Sequence, residues 1–480
     1  MATVLVTGAN GFIGSHLCEA LLERGADVLG LVRPTSDVRS LQPLAERYGK
    51  RFRLVLGDLT RPATLLPAVD GVDYVYHTAA TLMGTSEADF RSSIVEGTKN
   101  LLAAIESRGG AALRRLLFVS SQAAAGPSPT AEALTEANPA APVSWYGRAK
   151  RDAEELVRKA AARIPSTIVR PVAVYGEREA DISGGTFPAV QAGILPRIGL
   201  REKTLTTVYV GDLVKGMIAA AESPTTIGRT YFLADPKPVT SRVMVDEIAG
   251  AMNDLDKRKR FRIPVLVPQP LLGLGAPLSE WAHYFTRARP RLTRDKYREM
   301  RHRHWAASPQ AAYRDFGWQA STPLREGMRG AIGQWRERQL ILGNIVAQPD
   351  HERAVLTYLL AIVMGVVYEG LSDATKLYEF HPPWFIVPVV LGFYGLMLGT
   401  LAFLTAGLKK RWQFLAAAAV FITAEMTNHY VLHLWDFEAG AMGQMNPWLR
   451  AVVLSIPMGL VPVIVNSIIG AIYRRRLRIG

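Results

Sequence analysis

Tyr146 and Lys150 stand four residues apart in Tyr146-Gly-Arg-Ala-Lys150, and Ser121 ends an apolar run some way before them. On a helix that spacing puts phenol and ammonium on one face, where the cation stabilises a phenolate. A free tyrosine titrates near pH 10, so acting as a base near neutrality takes a downward shift of roughly three units, about 4 kcal/mol. Lys150 and the positive ring of an oxidised nicotinamide are the two sources of that shift. Ser121 then hydrogen-bonds the substrate oxygen, Tyr146 takes or gives its proton, and a hydride moves to or from the ring.

A second constellation supplies the place for such a ring. Thr7-Gly8-Ala9-Asn10-Gly11-Phe12-Ile13-Gly14 follows an apolar strand and opens a helix. Gly8 makes the tight turn, Gly11 admits a pyrophosphate close to the backbone, and Gly14 lets helix and strand pack, with the helix N-terminus facing the phosphates. Where NAD-selective folds carry an acid after the second strand, this chain has Arg33, in Leu31-Val32-Arg33-Pro34. A guanidinium suits a 2′-phosphate in charge and geometry, which favours NADP(H) and leaves NAD(H) as the alternative. Asp58, in Gly57-Asp58-Leu59, is placed either to meet the adenine amine or to cap a helix. No metal ligand set is read in this part of the chain.

The elements that must position these groups follow from the apolar pattern. Strands are expected at Thr3 to Thr7, Val28 to Val32, Arg53 to Leu56, Tyr74 to His77, Leu116 to Ser120 and Ser166 to Arg170. Helical spacing links them at Ile13 to Arg24, Phe90 to Ser107 and Tyr146 to Ala162. This alternation predicts an α/β, Rossmann-type doubly wound parallel sheet. The dinucleotide-binding core is expected over about 1–180 and 206–237, and a small substrate-capping domain over about 181–205 and 238–335, whose mixed sequence is strongly basic.

Beyond a linker at 336–353 the composition changes to an all-α pattern of four apolar helices, at about 354–370, 384–406, 414–433 and 451–473. Most have the length of about 20 residues that a bilayer crossing needs. Arg336, Arg338 and Arg353 precede the first, Lys409, Lys410 and Arg411 lie between the second and third, and Arg474, Arg475, Arg476 and Arg478 follow the fourth. The other two loops hold Asp373, Glu379, Asp436 and Glu438, with Lys376 as their main cation. The positive-inside rule then puts both termini and the catalytic block in the cytoplasm, in keeping with a start that runs straight into a strand without a signal-like segment. Glu369 ends the first apolar segment, and Glu425, Asn428, His429 and His433 recur at helical spacing in the third. They form either a site for a head group, metal or quinone, or a hydrogen-bond network that packs the helices.

The net charge of +14 over 480 residues is spread along the chain and flanks the apolar segments, which argues for a membrane surface with its lipids as partner and against nucleic acid. Cys18, the only cysteine, excludes an intramolecular disulfide and fits a reducing compartment.

Residues 1 to about 335 resemble the extended short-chain dehydrogenase/reductase superfamily of epimerases, dihydroflavonol reductases and 3β-hydroxysteroid dehydrogenases. TGANGFIG, GDL, HTAA at 77–80, SSQAAAG at 120–126, YGRAK and RPVAVYG at 170–176 fall in that family's order. The resemblance implies Ser121, Tyr146 and Lys150 as catalytic, and Gly8, Asn10, Gly11, Phe12, Ile13, Gly14, Asp58, Leu59, Ala79, Ala80, Pro171 and Val174 around the cofactor, with a homodimer as an assembly known in the family. One departure is visible: many members have Asn where this chain has Ile94, ahead of Gly97-Thr98. The stretch from Leu292 to Met300, with His304-Trp305 and Tyr313 to Trp318, is similar to the steroid-dehydrogenase-like and dihydroflavonol-reductase-like branch.

The leading expectation is therefore a membrane-anchored NAD(P)-dependent oxidoreductase for a lipophilic alcohol or ketone, sterol-like, terpenoid or other lipid. Apolar residues from Val265 to Tyr284 would line its pocket, dip toward the membrane or simply form the core of the cap. The alternative is a nucleotide-sugar or lipid-linked-sugar epimerase or dehydratase with no net cofactor change. A non-catalytic cofactor-binding module is a third reading, and the intact Ser, Tyr and Lys set argues against it.

Overall fold

The computed structural model describes residues 2–344 apart from 83, 109, 180, 192, 258–260 and 287–291. The chain divides into two units, 1–281 with 289–339, and 282–288 with 340–480. Nearly all of the second unit lies outside the described residues, and with it lie the four apolar segments and Glu369, Glu425, His429 and His433. Among the described residues no helix is long and apolar enough to cross a membrane.

The first unit opens with β1 (Thr3–Thr7), α1 (Phe12–Glu23), β2 (Asp27–Val32), α2 (Gln42–Tyr48), β3 (Phe52–Leu56) and β4 (Tyr74–His77). It continues through α3 (Glu87–Phe90), a π-helical segment Arg91–Glu96, α4 (Gly97–Ser107), β5 (Arg115–Val119), α5 (Gln122–Ala125), α6 (Trp145–Ala160) and β6 (Ser166–Pro171). Next come β7 (Ala173–Tyr175), α7 (Asp181–Gln191), β8 (Ile194–Ile198), β9 (Thr204–Leu205), β10 (Thr207–Tyr209), α8 (Val210–Glu222), β11 (Thr230–Leu233) and β12 (Val239–Thr240). The last elements are α9 (Ser241–Asp256), β13 (Ile263–Val267), α10 (Gln269–Thr286), α11 (Arg294–Met300), β14 (His304–Trp305), α12 (Gln310–Phe316) and α13 (Leu324–Asn344).

Seven strands form one sheet in the order β11-β6-β5-β4-β1-β2-β3, every pair parallel. Parallel sheets are covered on both faces, and the period of two sorts their side chains accordingly. Val4, Val6, Leu117 and Val119 pack with Leu17 and Leu21 of α1 and Leu213 and Met217 of α8. Leu5, Leu116 and Phe118 pack on the other face with Leu101 of α4 and Ala153 and Val157 of α6. The strand order reverses between β1 and β4, and the crevice beyond their C-terminal ends is where such sheets take a ligand.

The expected Rossmann-type sheet is thus present, with its first six strands placed to within a residue. Several boundaries and elements differ from expectation, two of them close to the site. The helix expected from Phe90 starts at Glu87, because Ser86 accepts from Asp89 N while the Asp89 carboxylate accepts from the Ser86 backbone, a capping box that fixes the start. β11, an edge strand beside β6, had no counterpart in the sequence reading.

A separate cluster joins Phe187 and Val190 of α7, Ile248 and Met252 of α9, and Met328 and Ile332 of α13. The chain then returns to the sheet: Ala307, Ala312 and Trp318 belong to the cluster of β1 and α8, and the Trp318 indole donates to Asp212 O at 3.1 Å.

Candidate active site

At the crevice, Gly8 has φ 69°, and a Cβ there would stand 2.8 Å from Ala79 Cα. Any larger residue would push the turn off the strand end of β4. A Cβ on Gly14 would meet Gly8 O at 2.2 Å, and one on Gly11 the same oxygen at 3.1 Å. α1 starts from Gly11 with no side-chain cap, so its first amides are served by no protein oxygen of that kind. Close backbone with uncapped amides at a helix start fits a pyrophosphate. Asn10 ties this turn to the next loop, donating to Asp37 O at 3.3 Å.

Behind the turn lies a group that the sequence reading passed over. His77 is 1 % exposed, with Nδ1 2.8 Å from Thr7 Oγ1 and Nε2 3.0 Å from Thr98 Oγ1. Burial, with the Lys150 charge adding to it, pushes the imidazole down to about 3, so it stays neutral and its two nitrogens pin β1, β4 and α4 together. Thr7 Oγ1 also accepts from Ala79 N at 3.3 Å. The HTAA motif is therefore structural in its first residue, while Ala79 stands against the Gly8 turn and Ala80 packs on the core under α4 and α6.

Arg33 and Asp58 come together beyond β2 and β3. Arg33 is exposed and forms no ion pair among the described residues. Burial raises the Asp58 carboxyl, but hydrogen bonds from Thr60 and the charges of Arg33 and Arg61 outweigh it and hold the group below its ordinary range. Asp58 Oδ1 accepts from Thr60 N at 2.9 Å and from Thr60 Oγ1 at 2.8 Å, an Asx turn rather than a helix cap. Leu59 packs against Gly97 of α4, and its carbonyl accepts from Asn100 at 2.7 Å. Pro171 ends β6, and Val174 sits in β7 opposite Val208.

The reacting groups sit on α6 and at the end of β5. Ser144 caps α6, accepting from Gly147 N at 2.9 Å. Tyr146, in the first turn, lies close enough to Ser121 for that hydroxyl to pull its phenol down, and Ser121 follows β5 and caps the short α5. One turn on, Lys150 is 2 % exposed and donates to Val119 O at 2.7 Å, with Nζ 5.0 Å from the centre of the Phe118 ring. The three candidates are thus gathered at the C-terminal end of β5. Ile94, 1 % exposed, packs into the core from the π-helical segment and brings no polar group to the site.

The electrostatics are not those of a pre-activated base. Burial pushes the Tyr146 phenol up, the Glu299 charge adds to this, and the Ser121 hydrogen bond only partly opposes it. Burial also pushes Lys150 down to about 7, against the pull of Glu154. Protein groups alone therefore supply no net downward shift of the tyrosine, which leaves the positive ring of an oxidised nicotinamide as the other source named by the chemistry.

Two supports hold α6. Below Lys150, the fully buried Glu154 binds Arg170 through two hydrogen bonds of 2.8 and 2.7 Å and accepts from Ser120 Oγ at 2.6 Å. Burial opposes its ionisation, but the Arg170 hydrogen bonds and charge, with Ser120 and Arg158, keep the carboxyl below its ordinary range. Above Tyr146, α11 reaches over from the C-terminal part of the unit. Asp295 accepts from Trp145 N at 2.6 Å and from Tyr146 N at 3.1 Å, and Glu299 accepts from Ser144 Oγ at 2.7 Å. The Arg298 guanidinium stacks 4.3 Å from the Trp145 ring. Free amides at the start of the catalytic helix are thereby satisfied from about 150 residues away. The one local signal was the Asp295, Glu299 spacing on a short helical run.

A cavity of 740 Å³ lies elsewhere, lined by Glu136, Arg151, Arg170, Arg229 and Arg314 among others, and none of Ser121, Tyr146 and Lys150 borders it. Its arginines are tied to carboxylates, Arg170 to Glu154, and Arg229 and Arg314 to Asp315.

Comparison with known proteins agrees with this layout. The family model described as NAD-dependent epimerase/dehydratase matches residues 4–234. The chain is 28 % identical over 344 residues to a 2-alkyl-3-oxoalkanoate reductase of Stenotrophomonas maltophilia, covering 68 % of this chain and 97 % of that protein. It is 31 % identical over 261 residues to a 3-beta-hydroxysteroid dehydrogenase of Mycolicibacterium neoaurum, covering 50 % of this chain and 67 % of that protein. In fold it matches the crystal structure of UDP-glucuronic acid 4-epimerase from Bacillus cereus in complex with NAD, with a TM-score of 0.54 and 22 % identity over 70 % of this chain and 99 % of that one. The glycine crevice, the Tyr146 and Lys150 helix and these likenesses together place the chain in the NAD-dependent epimerase/dehydratase family, as an NAD-dependent enzyme.

Proposed function

We propose that this enzyme is held in a membrane by its C-terminal apolar segments, with its catalytic unit and both termini in the cytoplasm. There it moves a hydride between NADP(H) and a lipophilic alcohol or ketone. The observation that carries the chemistry is the gathering of Ser121, Tyr146 and Lys150 at the end of β5. The names of two relatives, an oxoalkanoate reductase and a steroid dehydrogenase, favour an apolar substrate with one reacting oxygen, and tethering suits a substrate that partitions into lipid.

When bound, the nicotinamide supplies or accepts the hydride at the carbinol carbon. In the reducing direction Ser121 donates a hydrogen bond to the carbonyl oxygen and Tyr146 gives that oxygen its proton, leaving a phenolate. The high proton affinity of Tyr146 matches its role as a donor that stays protonated at neutral pH. Lys150, poised near neutrality in the protein alone, gains a proton more readily once the phenolate forms beside it, and so stabilises that state. Arg33 would pair with the 2′-phosphate. A second reading has the same residues run a transient oxidation in a nucleotide-sugar or lipid-linked-sugar epimerase or dehydratase, and the family's description as epimerase/dehydratase favours it.

The test is cofactor turnover by the full-length protein in detergent, wild type against Tyr146→Phe, with NADPH or NADH, in a membrane-lipid extract and in pooled nucleotide sugars. Tyr146-dependent NADPH oxidation with a two-hydrogen mass gain in a lipid is the expected result. A product in the sugar arm without net cofactor consumption replaces it with the epimerase or dehydratase reading, and a preference for NADH removes the role given to Arg33.

A further inference from the structure

One pair of strands breaks the rule that the main sheet keeps. β8 and β13 are parallel, from Ile194 opposite Ile263 to Ile198 opposite Val267, and parallel strands are ordinarily covered on both faces. The first four residues of β13 are nonetheless exposed. Ile263 is 54 %, Val265 41 % and Leu266 47 % open to solvent, and since successive side chains point to opposite faces, both faces of β13 are about half open among the described residues, while β8 beside it is half-buried, with Leu195 against the cluster of α7 and α9.

The two most exposed large apolar side chains among the described residues flank the same pair: Phe261 at 87 % just before β13, and Leu200 at 90 % just after β8. Gly199 N donates to Val267 O and Ile263 N to Gly193 O, so these two residues stand at opposite ends of the ladder. An apolar surface of this kind marks a contact with something else.

The rim says what that something is. Lys257, which ends α9, and Arg201, which follows Leu200, are exposed, whereas the Arg262 guanidinium turns inward to Val190 O and Asn253. Of the neighbouring carboxylates, Glu202 accepts from Arg242 N and Asp256 from Arg336. Apolar side chains within a cationic rim match an anionic lipid surface, where the former enter the headgroup boundary and the latter meet phosphate. A second copy would cover the same side chains but, across a two-fold axis, would set the cations against their own counterparts.

We propose that the β8 and β13 pair, with Phe261 and Leu200 at its ends, is a surface on which the cap rests on an anionic bilayer. This rests on the reading of the chain as membrane-held, and on the apolar segments that follow Asn344.

The full chain is reconstituted in vesicles with roughly a third anionic lipid, and single thiols carrying a bimane probe are placed by Phe261→Cys, Val265→Cys and, as control, Leu56→Cys. Leu56 is 64 % exposed on β3, and the native Cys18 is buried. Retained Tyr146-dependent turnover verifies that each variant is folded. Brominated lipids are expected to quench the probes at 261 and 265 by about twofold or more and to leave the probe at 56 unchanged, as insertion to the headgroup boundary requires. Equal quenching at all three positions, or none at 261 and 265, overturns the proposal, and cross-linking between thiols at 261 without quenching assigns the surface to a second copy. Alkaline carbonate extraction separates the two levels: a chain that leaves the vesicles refutes the anchor, whereas one that stays with unquenched probes refutes only the docking surface.

Discussion

β5 and β13 are both five-residue parallel strands of mostly apolar composition, Arg-Leu-Leu-Phe-Val and Ile-Pro-Val-Leu-Val, yet every residue of β5 is buried and four of five in β13 are exposed. Composition makes both of them strands, and neighbours decide what each is for. β5 lies under α8 on one face and α6 on the other, so its C-terminal end is a rigid shelf for Ser121 and Lys150. β13 has β8 on one edge and, among the described residues, faces left about half open, which suits a surface that meets a soft partner rather than one that holds reacting atoms in register.

The sharpest way to break this contrast is to loosen the shelf. Glu154→Ala leaves the Arg170 guanidinium, 5 % exposed, without its carboxylate, and is expected to cost about 3–5 kcal/mol in denaturant unfolding. A loss under about 1 kcal/mol would mean that water compensates Arg170 and that the shelf is softer than its burial implies.

Next in size is a pH effect. Lys150 titrates near 7 in the folded protein against 10.5 for the ordinary group. Between those values the unfolded chain binds more protons, so stability rises with pH across the window, by up to roughly 4 kcal/mol. Comparing unfolding of wild type and Lys150→Met from pH 7 to 10 isolates that rise, and identical profiles would show that Lys150 is solvated.

Gly147→Ala comes third. Its Cβ would fall 2.3 Å from Ala123 O, forcing α6 away from α5 and Tyr146 away from Ser121. Displacement on the order of an ångström at reacting groups costs about 10²-fold in kcat, with cofactor affinity nearly unchanged.

How much of this was legible in the sequence follows from where each partner lies. Runs such as Leu116-Leu117-Phe118-Val119 announce a strand covered on both faces, and the glycine turn and the Tyr146, Lys150 spacing are local patterns, so the sheet and these candidates were readable. β11 is short and lies at an edge, where Thr-Tyr-Phe-Leu gives no distinctive period. The His77, Thr7 and Thr98 cluster and the Asp295 acceptor join residues far apart in the chain, and no local pattern encodes such pairs. The Tyr146 shift was read from Lys150 and the oxidised cofactor, whereas burial and Glu299 govern it in the folded protein.

Asp295→Ala tests the long-range support. It removes the acceptor for the Trp145 and Tyr146 amides, and the expected loss is about tenfold in kcat/KM, the worth of one to two hydrogen bonds at a helix start. Asp295→Asn, which keeps an acceptor oxygen, should recover part of it. A purely structural role would lower stability without changing kcat at temperatures where the protein stays folded.

The smallest effect bears most directly on the contrast. Ile263→Thr in β13 exchanges an exposed apolar group for a polar one of similar shape, so in detergent solution it should change stability by no more than about 0.5 kcal/mol. Leu117→Ala in β5, at a residue with no exposed surface, should cost about 2–5 kcal/mol. If the two prove alike, β13 has a cover in solution, and its exposure no longer argues for an external partner. If they differ as expected, selection for folding does not account for an apolar β13, and contact with a partner becomes the reason for its composition.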